Sequence, residues 1–197
     1  MLREIHSNSG IVMGIPKEDV QNETRLALTP EAVGILVERG HTVLVETGAG
    51  DGMSYSDIRF AENGATIVNS AAEVYAADIV LKIAPPTLEE VEMMRNNTTV
   101  FSMLQLTRLD SKAVKEMARK KIIAVAYDLL RDSQKTYPIA GAIHEIEGMT
   151  AISVASQYMS NDHGGKGLLL GGVAGISATE VLILGADIAG GAAARTA

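Results

Sequence analysis

The chain has 197 residues, 47% of them hydrophobic, with 17 basic and 24 acidic side chains and a net charge of -7. That length holds one large domain, or one domain and part of another. The apolar content excludes wholesale disorder, and the acidic balance argues against the clustered Lys and Arg of a nucleic-acid footprint. Cysteine is absent, which removes disulfides, thiolate nucleophiles and cysteine-held metals. His6, His41, His144 and His163 show no metal-ligand spacing, so no metal is expected.

Residues 1–10 lack an apolar targeting core and read as a loose leader. A short apolar run, residues 11–15, predicts the first strand, which Pro16 ends because proline cannot donate to a central ladder. A polar loop carrying Lys17, Glu18, Asn22, Glu23 and Arg25 follows. Thr29-Pro30-Glu31 then opens a helix over 30–39, with an N-cap hydroxyl, proline in the first turn and an early carboxylate, and Gly40 closes it. Strands are predicted at 42–46, 66–68, 78–83, 98–104 and 122–126. Between them lie helices headed by Ser56, Ser70, Thr87 and Ser111. The strands are continuous apolar runs, the pattern of a parallel sheet covered by helices on both faces.

Residues 131–137 read as an exposed turn, and 143–159 as a long connecting helix whose Gly148, Ala151 and Ala155 form a close-packing stripe. Residues 160–172 are glycine-rich and polar, as in a crossing between domains. A final strand is expected at 180–184, then the loop Gly185-Ala-Asp-Ile-Ala-Gly190 and a helix start. The stretch 167–194 is apolar, but Thr179-Glu180 and Asp187 interrupt it, so it does not read as a membrane span. The fold expected is a Rossmann-like α/β unit with a parallel sheet, a long helix and the first β-α unit of a second domain. Its boundaries are 11–140, 141–178 and 179–197. A cytoplasmic protein without membrane or nucleic-acid partners is expected.

Arg25 lies on a loop just beyond the carboxyl end of a strand, the place where ligands bind in open α/β sheets. The last strand-loop-helix opens a nucleotide-binding unit, but a dinucleotide fold needs further strands and an acidic residue about 20 positions on. The reading is therefore that of a piece of a longer protein. The glycine loop also departs from the fingerprint, because its middle position is Asp187. At about 4 Å and an effective dielectric near 20, a carboxylate facing a phosphate charge costs on the order of 4 kcal/mol.

Ile15-Pro-Lys-Glu18, Asn22-Glu-x-Arg25, Ala27-Leu-Thr-Pro30, Gly40-His-Thr-Val43, Val45-Glu-x-Gly-Ala-Gly50, Asp78-x-Val-Leu-Lys82 and Gly171-Gly-Val-x-Gly175 together resemble the alanine dehydrogenase/pyridine nucleotide transhydrogenase family, over essentially residues 11–197. The resemblance implies a substrate domain followed by a cofactor domain. It also implies NAD as cofactor, a small 2-oxo acid or amino acid (pyruvate or alanine) as substrate, and a homo-oligomer. By position Arg25 and Lys82 match the pair that grips the substrate carboxylate and carbonyl. An arginine fork suits a carboxylate, and a lysine ammonium can polarise a ketone.

Gln105 stands where the family has its catalytic histidine. A glutamine can hydrogen-bond a keto oxygen but cannot shuttle a proton, a loss worth about 10²–10⁴ in rate. Gly185, Ala186, Asp187 and Gly190, with His144 from the connecting helix, fall on cofactor-contacting positions. His144 is also readable as an exposed residue at the helix N-terminus. The short turn Asp132-Ser-Gln-Lys-Thr-Tyr137 favours the alanine dehydrogenase branch over transhydrogenase. The function implied is the front part of an NAD-dependent L-alanine dehydrogenase, inactive as this chain alone. The alternatives are a transhydrogenase-like or saccharopine-type dehydrogenase domain, or a non-catalytic binding or oligomerisation domain.

Overall fold

A computed structural model of the protein describes residues 10–19, 23–107 and 109–197. The leader 1–9 and the motif residue Asn22 lie outside these. The chain forms two compact units, one running to Asp128 and the other from Leu129 to Ala197.

The first unit is built on strands β1 (Val12–Ile15), β2 (Thr42–Glu46), β3 (Thr66–Val68), β4 (Ile79–Leu81), β5 (Thr99–Ser102) and β6 (Ile123–Ala126). Every pairing is parallel, in the order β3-β2-β1-β4-β5-β6. The order reverses between β1 and β4, a topological switch point at which the loops leaving the two strands diverge and leave a crevice. Helices α1 (Pro30–Glu38), α2 (Asp57–Glu62), α3 (Ala71–Tyr75), α4 (Leu88–Met93) and α5 (Ser111–Arg119) cross between strands.

Alternation along β1 sorts the helices onto the two faces. Met13 and Ile15 pack with Val43, Val45, Val33 of α1 and Phe60 of α2. Gly14 points the other way: a Cβ there would stand 2.2 Å from the Val74 carbonyl of α3. Only glycine lets α3 approach so closely. Val80 is in register with Gly14 and packs with Tyr75, Val91 of α4 and Met117 of α5. Helices therefore cover both faces, as the apolar runs predict.

The helix signals hold in part. Thr29 accepts from the Ala32 amide and Gly40 takes φ +86° beyond α1. Thr87 and Glu90 form a reciprocal capping box on α4. Ser70 flanks α3 without a side-chain cap bond. At α5 the cap is Asp110, which accepts from the Lys112 amide, and Ser111 is the first helical residue. A carboxylate beside the positive end of the helix is the stronger acceptor.

The second unit contains α6 (Pro138–Met159) and α7 (Ile188–Thr196). α6 begins five residues before the expected start at 143, because Pro138 at its first position needs no amide partner. Of the expected close-packing stripe only Gly148 is buried; Ala151 and Ala155 are exposed. A Cβ on Gly148 would stand 2.2 Å from the Ala189 carbonyl of α7, and Ile152 continues the buried line. The expected strand at 180–184 does not form. These residues lie outside any ladder, with Leu182 85% and Leu184 89% exposed. An apolar run becomes a strand only when a neighbour accepts its amides. Among the described residues no helix is long and apolar enough to cross a membrane.

Candidate functional site

The switch point is occupied by charge. β1 ends at the buried Pro16, and the chain then delivers Lys17 and Glu18 to the carboxyl edge of the sheet. β4 ends one residue before Lys82, which is only 2% exposed. A buried ammonium is costly unless its donors are met. Here Lys82 Nζ donates to Glu90 Oε2 at 2.6 Å and lies 3.7 Å from Glu18 Oε2. Glu90 is well supplied with donors: Oε2 also accepts the Thr87 amide at 2.8 Å, and Oε1 accepts the Tyr75 hydroxyl at 2.6 Å. The capping box of α4 thus aims a carboxylate at the end of β4.

Glu18 is held differently. Its Oε1 accepts the Ile83 amide, while its buried Oε2 accepts no hydrogen bond. Burial pushes the Glu18 carboxyl above its ordinary range, opposed by the Lys82 charge and the Ile83 amide. Two phenols close the cluster. The Tyr127 hydroxyl donates to the Lys82 carbonyl at 2.9 Å. Burial raises both Tyr75 and Tyr127, as do the neighbouring carboxylates, chiefly Glu90 for the first and Glu18 for the second. Both phenols therefore act as fixed donors.

In front of this cluster lies a cavity of about 80 Å³, walled by Lys17, Glu18, Glu23, Arg25, Gly48 and Asp51 among others. Arg25 is half exposed and gripped by Glu23: Nε donates to Oε1 at 2.8 Å and Nη2 to Oε2 at 2.7 Å. That bidentate contact holds the Glu23 carboxyl below the usual carboxylate range.

The structure thus gathers two of the expected substrate residues around Glu18, with Arg25 in the cavity wall and Lys82 behind it. Gln105 reaches the same sheet edge, since Met103 donates its amide to the Ile83 carbonyl at 2.9 Å and so aligns the ends of β5 and β4. Gln105 is half buried at φ +41° and is not part of the cavity wall. Sequence reasoning missed Glu90, Tyr75 and Tyr127 and gave Glu18 no role. The Thr87-x-x-Glu90 spacing was the available signal for Glu90.

The expected cofactor positions belong to the second unit. Asp187 is the N-cap of α7, its Oδ1 accepting the Gly190 amide at 2.9 Å. Gly185 takes φ +119°, and Gly185, Ala186 and Asp187 are exposed. A Cβ on Gly190 would stand 2.2 Å from the Gly185 carbonyl, so the turn is tight. Its helix amide is nevertheless spent on the chain's own carboxylate. His144 is exposed in the second turn of α6 rather than at the helix N-terminus, because the helix starts earlier.

The family model described as alanine dehydrogenase/PNT, N-terminal domain, matches residues 14–146, and its C-terminal counterpart matches residues 151–197. An alanine dehydrogenase of Staphylococcus saprophyticus is 36% identical over 95% of this chain and 50% of its own. Alanine dehydrogenase 2 of Staphylococcus aureus is 36% identical over 94% and 50%. A solved L-alanine dehydrogenase superposes with a TM-score of 0.87 at 31% identity, covering 94% of this chain and 51% of that one. A transhydrogenase from Sinorhizobium meliloti reaches 0.78 at 26%, covering 94% and 55%. The chain spans about half the length of the curated relatives it matches.

Proposed function

The chain belongs to the alanine dehydrogenase/PNT family, and from that premise we propose that its first unit is the substrate-binding part of an NAD-dependent L-alanine dehydrogenase. The observation that carries this reading is the pairing of Arg25, in the wall of a small cavity, with Lys82 3.7 Å behind the Glu18 carboxylate at the β1/β4 switch point. A 2-oxo acid offers a planar carboxylate and an adjacent carbonyl. Arg25 draws the carboxylate by its charge, with Glu23 accepting from its Nε and Nη2, and the Lys82 charge, held in place by Glu90, polarises the carbonyl. Glu23 fixes the Arg25 guanidinium meanwhile. Gln105, at the neighbouring strand end, offers an amide to the carbonyl and moves no proton.

The cofactor is a separate matter. The residues of the loop 185–190 do not fit a dinucleotide phosphate, because Asp187 puts a carboxylate at the helix N-terminus and occupies the Gly190 amide. No step of this reading runs through that loop. The same observation favours a second reading, in which this chain binds the 2-oxo acid without catalysing its reduction. Self-association belongs to the proposal too, supported by the apolar Ile146, Met149 and Tyr158 that α6 leaves exposed, and light scattering tests it.

The test of the binding role is an amide NMR titration of the chain with pyruvate. The reading expects saturable shifts concentrated at Lys17–Glu18, Arg25, Gly48 and Ile83. Shifts confined to other residues, or none, would refute it.

A further inference from the structure

Lys17 is the cation of the cavity wall that the substrate reading leaves without a task. It follows the buried Pro16 at the end of β1. Its backbone amide donates to Glu46 Oε2 of β2 at 2.8 Å, which fixes where the side chain starts. The side chain is exposed and lines the same cavity as Arg25. Its ammonium turns to the loop after β2, where a Cβ on Gly48 would stand 3.1 Å from Lys17 Nζ. Gly48 takes φ +71°, and the side chain it lacks leaves Nζ open to the cavity. Among the described residues Nζ has no hydrogen-bond or ion-pair partner. The carboxylates of the wall are placed otherwise. Glu23 is spent on Arg25 and Glu18 on the Ile83 amide. Asp51 Oδ2 comes within 2.8 Å of the same Cβ point on Gly48 and makes no ion pair with Lys17.

We propose that Lys17 is a substrate-binding residue, its ammonium donating directly to the carboxylate of the bound 2-oxo acid beside Arg25. This rests on the proposed 2-oxo-acid site. The reasoning is one of charge and donor inventory. Arg25 and Glu23 form a bidentate pair, so at the distance of a ligand much of the guanidinium charge is already matched. An incoming carboxylate also meets Glu18 and Asp51 in the same wall. It therefore needs a cation whose charge the chain has left unmatched, and Lys17 is that cation. A lysine ammonium carries three donors, and none of those on Lys17 is spent. Its four-carbon stem is anchored at the strand end and free beyond it, so Nζ can follow a carboxylate into place. The tasks of Lys82 and Gln105 at the carbonyl are unchanged. The two ends of the substrate then have separate cations, Lys17 with Arg25 for the carboxylate and Lys82 for the carbonyl. The site this describes selects an ionised 2-oxo acid over its neutral derivatives.

Titration calorimetry of the intact chain with pyruvate and with pyruvamide, its neutral amide, separates charge recognition from a structural role. Lys17→Met keeps the length of the stem and removes the ammonium at an exposed position, so circular dichroism should show an unchanged fold. The variant should bind pyruvate about tenfold more weakly than wild type, the loss of a hydrogen bond to a charged group. Its affinity for pyruvamide should stay within about twofold. Equal affinity for pyruvate in the two proteins, or an equal loss for both ligands, overturns the assignment and leaves the pyruvate site standing. No pyruvate binding by the wild type overturns the site and this proposal together. Where pyruvamide binds too weakly to give heat, ε-carbon NMR of Lys17 in the wild type decides. A carboxylate beside the ammonium favours its charged form, so Lys17 must titrate at higher pH with pyruvate bound than without. An unmoved titration refutes the assignment.

Discussion

The loop after β1 and the loop before α7 are both placed where an α/β protein would bind an anion, and they treat that opportunity in opposite ways. At β1 the chain sets Arg25 in a cavity wall and buries Lys82 and Glu18 behind it, with the half-buried Glu90 accepting from Lys82. At α7 the chain supplies its own anion, with Asp187 accepting the Gly190 amide that a phosphate would need. At the first loop the group offered to an anion is a full positive charge, although Glu23 already accepts from Arg25 Nε and Nη2; at the second it is a neutral amide that one carboxylate takes up. A glycine pattern can be present while the chemistry it stands for is cancelled by one side chain.

Substitutions can break this contrast. The largest effect belongs to Lys82→Met, which leaves the buried Glu18 and the half-buried Glu90 as neighbouring carboxylates without their cation. A buried pair that loses one partner costs about 3–5 kcal/mol, so urea unfolding should show a fall of that size. A loss under about 1 kcal/mol would mean that Lys82 is not the centre of the cluster. Asp187→Ala removes only the cap of α7 and should cost about 1 kcal/mol. Local amide exchange in residues 188–196 should report it, leaving the first unit unchanged.

Glu23 gives a smaller and pH-dependent effect. Its folded carboxyl is held below the usual range by Arg25, so its contribution is present above the unfolded value near 4.5 and lost as pH falls through the folded value. With Arg25 half exposed, that contribution stays under about 1 kcal/mol. Glu23→Gln should therefore narrow to nothing against wild type on acidification, as followed by thermal midpoints from neutral to acid pH. The smallest effect is expected for Arg195→Met, which breaks an exposed pair with Glu145 between α7 and α6 at 2.8 Å. About 0.5 kcal/mol is its expected cost.

The parallel sheet was legible because its strands are apolar on both sides, and α1 because Thr29, Pro30 and Gly40 bracket it. The residues of the site were legible only where a local motif held them. Arg25 and Lys82 follow from the resemblance, yet the Glu18 contact with Ile83 spans 65 residues, and no periodicity reports that. Tyr75 and Glu90 meet because α3 and α4 pack on one face of the sheet, which follows from the register of Gly14 with Val80 rather than from any pattern in their own helices. The run 180–184 misled for the opposite reason. Its composition is that of a strand, but strand formation depends on a neighbour that composition does not reveal.

The central claim is that the first unit holds a 2-oxo acid by its carboxylate at Arg25. Calorimetric titration of pyruvate into the wild-type chain and into Arg25→Ala tests it most directly. Loss of charge-assisted hydrogen bonds worth about 1.5–3 kcal/mol predicts affinity weakened about 10- to 150-fold in the variant, with the fold intact by circular dichroism. Equal affinity in the two proteins would contradict the assignment and place the carboxylate elsewhere.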